Sequence, residues 1–292
     1  MVRLLRSALA ALVLVCIAPL APLAAQDDDD FDDDDDAEWL DDCRERDRSW
    51  GTKSTSRRDR ARFCEIRETG MRPGGTLRVE PGQNGGVALR AWDRDSVHIV
   101  ARIQVHGRRD EDLAAVARGI RVTTSGGVID ADGPGRVGDH RSWSVSFLVF
   151  APRRSNLDLS VDNGPLSVRG ISGAMTLSAD NGPIALHHVA GDVRARVQNG
   201  PLSVVLGGSR WEGAGLDAEA RNGPAVLSIP EGYSAKLETG TVNGPMSVDF
   251  PLTVTIQGRL TQRLNTTLGD GGAPVRVVTT NGPMVIRRRG RI

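Results

Sequence analysis

Large rings are what this sequence has least of. Its 292 residues include five Phe, five Trp and a single Tyr, 4% aromatic in all. A core must then be assembled from Val, Leu, Ile and Ala. With 34 Gly, the composition suits many short strands joined by tight turns. Helical periodicity is nearly absent as well. It is convincing only in "RDEDLAAVARGI", where Asp110 is placed to cap a short helix, Glu111 and Asp112 to fill its first turn and Gly119 to stop it. A helical repeat protein, which needs many such runs, is excluded. Catalytic signatures are missing too: there is no H-E-x-x-H, no G-x-S-x-G and no phosphate-cradling loop. His187 and His188 follow a strand, with His98 and His106 far away in sequence. The sequence therefore predicts no enzyme, no cofactor and no metal centre.

Net charge is also lacking, but the zero balance hides an asymmetry. Residues 27–42 hold twelve acidic side chains and no basic ones, while residues 43–292 carry 35 basic against 25 acidic groups. The acidic run "QDDDDFDDDDDAEWLDD" repels itself and predicts a disordered tail. Its carboxylates lack the spacing and glycine bend of a tight calcium loop, so only weak calcium binding is expected. A second expectation is that it screens the basic body or meets a basic partner. The basic end "RRRGRI" is expected to guard an open sheet edge.

Only three cysteines are present. Cys16 lies in an N-terminal segment with Arg3 and Arg6, an apolar stretch broken by Pro19 and Pro22, and small residues up to Ala25. That segment reads as a signal peptide cleaved after residue 25, leaving no membrane span. The remaining pair, Cys43 and Cys64, predicts a disulfide in an oxidising compartment.

One tripeptide then dominates. Asn-Gly-Pro occurs at 163–165, 181–183, 199–201, 222–224, 243–245 and 281–283. The last offset, 38 residues, suggests a repeat that lacks the tripeptide. Spacing of about 20 residues signals stacked repeats. After each turn two positions stay apolar. The first is Leu166, Ile184, Leu202, Ala225, Met246 and Met284, and the second is Val168, Leu186, Val204, Leu227, Val248 and Ile286. Period 2 within a repeat and fixed register between repeats predict stacked parallel strands with one face buried. By parity Asn163, Asn181, Asn199, Asn222, Asn243 and Asn281 should point inward as an internal amide ladder. Among outward positions, Arg194 should face Asp217 and Arg196 should face Glu219 across neighbouring strands. Asp162 over Asp180 is the one pair of stacked carboxylates with a claim on chemistry, since two close carboxylates can share a proton or hold a cation.

The stretches "RARFCEIRE", "GGVALRAWDRDSV", "RWEGAGLDAEARNGP", "PEGYSAKLETGTVNGP" and "LGDGGAPVRVVTTNGP" resemble a bacterial family of envelope β-strand-repeat proteins of unknown function, often labelled adhesin-like. Family members carry Gly, Asp or Ser where this chain carries Pro. The resemblance implies a parallel β-solenoid with an N-terminal β lead-in, and brings no catalytic residues. The expected organisation is a signal peptide (1–25), an acidic tail (26–42), a stapled lead-in (43–72), an N-terminal β region with the short helix (73–155) and a parallel β-helix (156–292) whose uneven repeats favour a right-handed coil. The N-terminal strands and helix should close one end of it. The expected function is a non-catalytic, secreted envelope protein, structural or adhesin-like, residing in the periplasm or at the cell surface. Two other readings stay open. One is a regulatory or stress-linked module that binds protein through the acidic run. The other is a glycan-binding or glycan-cleaving β-helix using Asp162 and Asp180. The expected partner is a protein or an envelope polysaccharide rather than nucleic acid, and the expected state is a monomer.

Overall fold

The computed structural model describes residue 43 and residues 60–108, 111–135, 141–249 and 262–289. The expected signal segment, the acidic run and Asp110 lie outside these residues. The described chain is all-β with one short helix, and its strands form two ten-stranded sheets. Across sheet 1 the order is β1 (Arg60–Met71), β4 (Val97–Arg108), β7 (Ser142–Pro152), β3 (Val87–Trp92), β9 (Leu166–Arg169), β11 (Ile184–His187), β13 (Leu202–Val205), β15 (Ala225–Pro230), β20 (Met284–Arg289) and β17 (Met246–Asp249). Across sheet 2 it is β18 (Arg263–Leu268), β16 (Ala235–Asn243), β19 (Pro274–Asn281), β14 (Gly215–Asn222), β12 (Ala190–Asn199), β10 (Ser172–Asn181), β8 (Asn156–Asn163), β2 (Thr76–Glu80), β6 (Val128–Asp132) and β5 (Arg121–Ser125). Pairing is parallel through the middle of both sheets. It is antiparallel at β1–β4, β4–β7, β5–β6 and β16–β18.

The repeat explains the parallel middle. Each unit lays one strand in sheet 2, turns at Asn-Gly-Pro and lays the next strand in sheet 1. The register holds residue for residue: Leu157, Met175, Val193 and Leu216 align in sheet 2, and Leu166, Ile184, Leu202 and Ala225 in sheet 1. These inward columns join one continuous hydrophobic cluster that runs from Leu77 to Ile286. The turn is fixed by the backbone. Gly164 N–H donates to Asn181 O at 3.0 Å and Leu166 N–H to Pro183 O at 2.9 Å. The intervening Pro165 sits where no ladder donor is needed. Gly182 has φ +152°, and a Cβ there would lie 2.0 Å from Gly164 O. Only glycine fits, because the turn below is already in contact.

Four expectations need correction. An earlier unit with Asn84-Gly85-Gly86 at its corner, formed by β2 and β3, pairs in register with β8 and β9, so the stack begins before the first Asn-Gly-Pro. The 38-residue offset contains the antiparallel strand β18, and the last unit, β19 and β20, inserts between the units β14–β15 and β16–β17. Arg287, Arg288 and Arg289 therefore end an interior strand, and the sheet edge they were expected to guard is β17. There Met246 is half-buried and Val248 is 41% exposed, because no further strand covers them among the described residues. Finally, the helix α1 (Leu113–Arg118) is capped by Asp112, which accepts from Ala115 N–H at 2.8 Å, two residues later than expected. Its Leu113, Val116 and Ala117 are buried, and Arg67 of β1 donates to Ala117 O and Ile120 O at 3.0 and 2.7 Å.

Candidate binding face and groove

Inward residues fill the core, so any function of the two sheets rests on their outward residues and corners. On sheet 2 the outward charges neutralise one another. Asp217, Arg276 and Glu238 share one row of the register. Arg276 reaches Asp217 at 2.7 Å and Glu219 and Glu238 at 3.4 Å each. Arg196 also bonds Asp217. Partial burial works to raise the Asp217 carboxyl, but the two arginines hold it below the ordinary carboxylate range. The register sets Arg194 beside Asp217 and Arg196 beside Glu219 as expected, but the ion pairs run diagonally: Arg196 takes Asp217, and Arg194 lies 3.7 Å from Asp192. Sharing Asp217 between Arg196 and Arg276 satisfies more donors than two separate straight pairs would.

Sheet 1 differs. Its outward strand positions carry Arg62, Arg90, Arg102, Arg169, Arg287 and Arg289, all half-buried. The outward carboxylates on the described strands are Glu68 and Asp249, near opposite edges. Phe150, His98 and Trp92 form an aromatic group with centroids 5.8–6.1 Å apart, and Arg94 lies 4.9 Å over Trp92. Five more outward residues are nearly closed to solvent: Leu148 at 2%, Val100 and Val205 at 3%, Ser228 at 6% and His187 at 8%. Burial first, then the nearby Arg169, His188, Arg289 and Arg90 charges, push the His187 imidazole down to about 4.

The basic face ends in an open groove of about 540 Å³ at the corner where the chain returns to sheet 2. His188, Arg210, Arg289, Trp211, Glu212 and Tyr233 are among its walls. His188 takes a left-handed turn, φ +52°, where the preceding unit uses Gly170 at +71°. It contacts the guanidinium of Arg289. A longer connection follows β13. Its Trp211 is 5% exposed and donates to Gly191 O at 3.0 Å. Tyr233 is 3% exposed, and burial followed by the Glu212 charge pushes its phenol up to about 12. It is therefore a neutral donor at any physiological pH.

No family profile and no curated protein matches this chain. Solved structures do. A candidate cell adhesion protein from Clostridium sporogenes matches at 13% identity and TM-score 0.40, covering 77% of this chain and all of that one. A candidate adhesin from Bacteroides fragilis matches at 8% identity and TM-score 0.33, over 77% of this chain and 97% of the other. A candidate lipid binding protein from Parabacteroides distasonis gives 8% and 0.28 over 78% and 97%. At these scores the likeness carries no argument about what this chain does.

The residues singled out in the sequence fall in three places. Cys43 and Cys64 are bonded, with Cα atoms 5.6 Å apart, and Cys43 is 3% exposed. The six asparagines form one column in which each amide donates to the next at 2.9–3.1 Å, from Asn243 through Asn281, Asn222, Asn199 and Asn181 to Asn163, which ends the column on Gln83 O at 2.7 Å. This column is exposed and not internal. Strand alternation stops at Asp162 as the chain swings round the corner, so Asp162 and Asn163 both face solvent. Asp162 and Asp180 stand exposed on neighbouring units beside that corner. Among the described residues no group of three metal-ligating side chains gathers there or elsewhere. The groove was missed by sequence reasoning. Its signals were Trp211 within the stretched offset of 23 residues between Asn199 and Asn222, and the lone Tyr233 within the next offset of 21.

Proposed function

We propose that this protein is a non-catalytic binding scaffold of the bacterial envelope, a parallel β-helix with antiparallel strands at both ends, and that the outer face of sheet 1 is its binding surface. The observation that carries this reading is the arginine array on one flat face, set against a charge-balanced face on the other sheet. Planar guanidinium groups favour carboxylate-bearing partners. The groove extends the array with two further donors, Arg210 and Tyr233, and falls within the size range of small-ligand sites. We assign the face to an acidic envelope polysaccharide. The disulfide supports an oxidising compartment, consistent with export by a signal peptide over residues 1–25. The asparagine column and Asp162 with Asp180 are assigned structural and solvated roles. In this reading the chain acts as a monomer without a cofactor.

Retention of the full chain on immobilised polygalacturonate tests the assignment, with neutral dextran as control. Retention should fall between about 50 and about 500 mM salt, and the double substitution Arg90→Gln with Arg169→Gln should abolish it. Equal retention on dextran, or none on either polymer, overturns the polysaccharide assignment.

A further inference from the structure

The outer face of sheet 1 combines three features that a bare sheet face does not. Its outward arginines outnumber the outward carboxylates of the described strands, Glu68 on β1 and Asp249 on β17. Those arginines nevertheless all take part in contacts of their own. Leu148 and Val100 point outward at the centre of the basic end yet are closed to solvent, and the row neighbour of Leu148 on its other side, Ala88, is too short to close it. A surface like this suits an occupant of opposite charge with some apolar side chains.

The disulfide points to which one. Cys64 lies on β1 with the parity of Arg62 and Ile66, opposite Gln104, so the bridge fixes Cys43 to the outer side of sheet 1. Residue 42 is then the end of the acidic run, delivered to the edge of the basic face. We infer that residues 27–42 dock across the outer face of sheet 1 as an intramolecular polyanion, tethered by the Cys43–Cys64 bridge. The run offers twelve carboxylates, together with Leu40 and Trp39 three and four residues from the tether and Phe31 farther out. Val100 and Leu148 lie on the first and second strands beyond β1, near the tethered end, where Trp39 and Leu40 would reach. Length agrees as well. Sixteen extended residues reach at most about 55 Å, and the eight strand steps from β1 to β20 cover about 38 Å. The run can therefore meet Arg62, Arg102, Arg90, Arg169 and Arg287 in turn. Tethering raises its local concentration to the millimolar range, so it competes with any acidic ligand for the same arginines. The inference shares the basic face with the polysaccharide reading but does not depend on which polymer binds.

Crosslinking tests it directly. The sequence has only two lysines, Lys53 and Lys236, so background is low. In the full oxidised chain, Arg90→Lys, Arg169→Lys and, on sheet 2, Arg194→Lys each place an amine at a known point. A zero-length carbodiimide should join the amine at positions 90 and 169 to carboxylates of residues 27–42 within one molecule, and mass spectrometry identifies the linked peptides. Position 194 should give none. Exchange of Asp32 to Asp36 for Asn should cut the yield several-fold, with the circular dichroism spectrum unchanged. The same variant should bind polygalacturonate about tenfold tighter. Absence of links at 90 and 169, or equal links at 194, overturns the docking. If links form but neither chain binds polygalacturonate, the docking stands and the polysaccharide assignment falls. If both bind equally and no links form, the reverse holds.

Discussion

The two corners that join the sheets obey opposite rules. At the Asn-Gly-Pro corner each unit repeats its neighbour. Glycine stacks on glycine at van der Waals contact, asparagine amides chain together, and a change in one unit must be matched above and below. At the return corner the repetition is confined to one glycine position, Gly173 on Gly191, and the residues before it vary. Gly170 gives way to His188, the connection after β13 lengthens, and Trp211, Tyr233, His188 and Arg289 gather round a groove. The first corner sets the period, which frees the second to vary. Insertions at the return corner leave the register of both sheets intact, so chemistry collects there.

The comparison can be broken most severely at the regular corner. Gly182→Ala should destabilise the fold by about 3 kcal/mol or more, read as a large fall in melting temperature, since the added Cβ would lie 2.0 Å from Gly164 O in a backbone held at φ +152°. Next in size is a pH effect at the return corner. The His187 pKa is depressed to about 4 in the folded state, so between about pH 6.5 and 4 the unfolded chain binds the extra proton. Stability should be complete above pH 6.5 and fall by up to about 1.4 kcal/mol per pH unit below it. Denaturant titrations of His187→Gln should lack that slope. Asn199→Ala removes two exposed amide bonds, to Asn181 and from Asn222, and should cost about 1 kcal/mol. Asn243→Ala, at the end of the column, should cost less. The smallest effect has the opposite sign. His188→Gly should raise stability by up to about 1 kcal/mol by relieving a left-handed turn, while enlarging the groove.

Those effects track what the sequence made legible. The inward columns after each Asn-Gly-Pro were readable because strand alternation and a fixed period force them. Leu166, Val168, Ile184 and Leu186 are buried for the reason that predicted them. Asn163 was misplaced because alternation holds only along a straight strand, and the corner ends it one residue earlier. The unit with Asn84-Gly85-Gly86 was overlooked because glycine replaced the proline that marked the others. The diagonal bonding of Arg196 to Asp217 depends on side-chain reach and on an arginine, Arg276, that arrives from much later in the chain. Spatial order was least legible. Nothing in the local pattern of β19 and β20 distinguishes a unit added at the end from one inserted before it.

That insertion changes what the unit β19–β20 means for the stack. Residues 274–289 follow every other described strand in sequence, but β20 is second from the edge of sheet 1 and β19 third from the edge of sheet 2. Removing them would not shorten the stack from its tip. It would open a gap between β14–β15 and β16–β17 and leave the outer unit with nothing to rest on. A chain emerging from a narrow channel, amino end first, can stack its early units as they appear but cannot seat β16 and β17 in their final places until residues 274–289 are free. Completion of the two sheets is thus coupled to the emergence of residues 274–289, and a product lacking them is marked by an exposed interior strand edge rather than by a shorter but intact body.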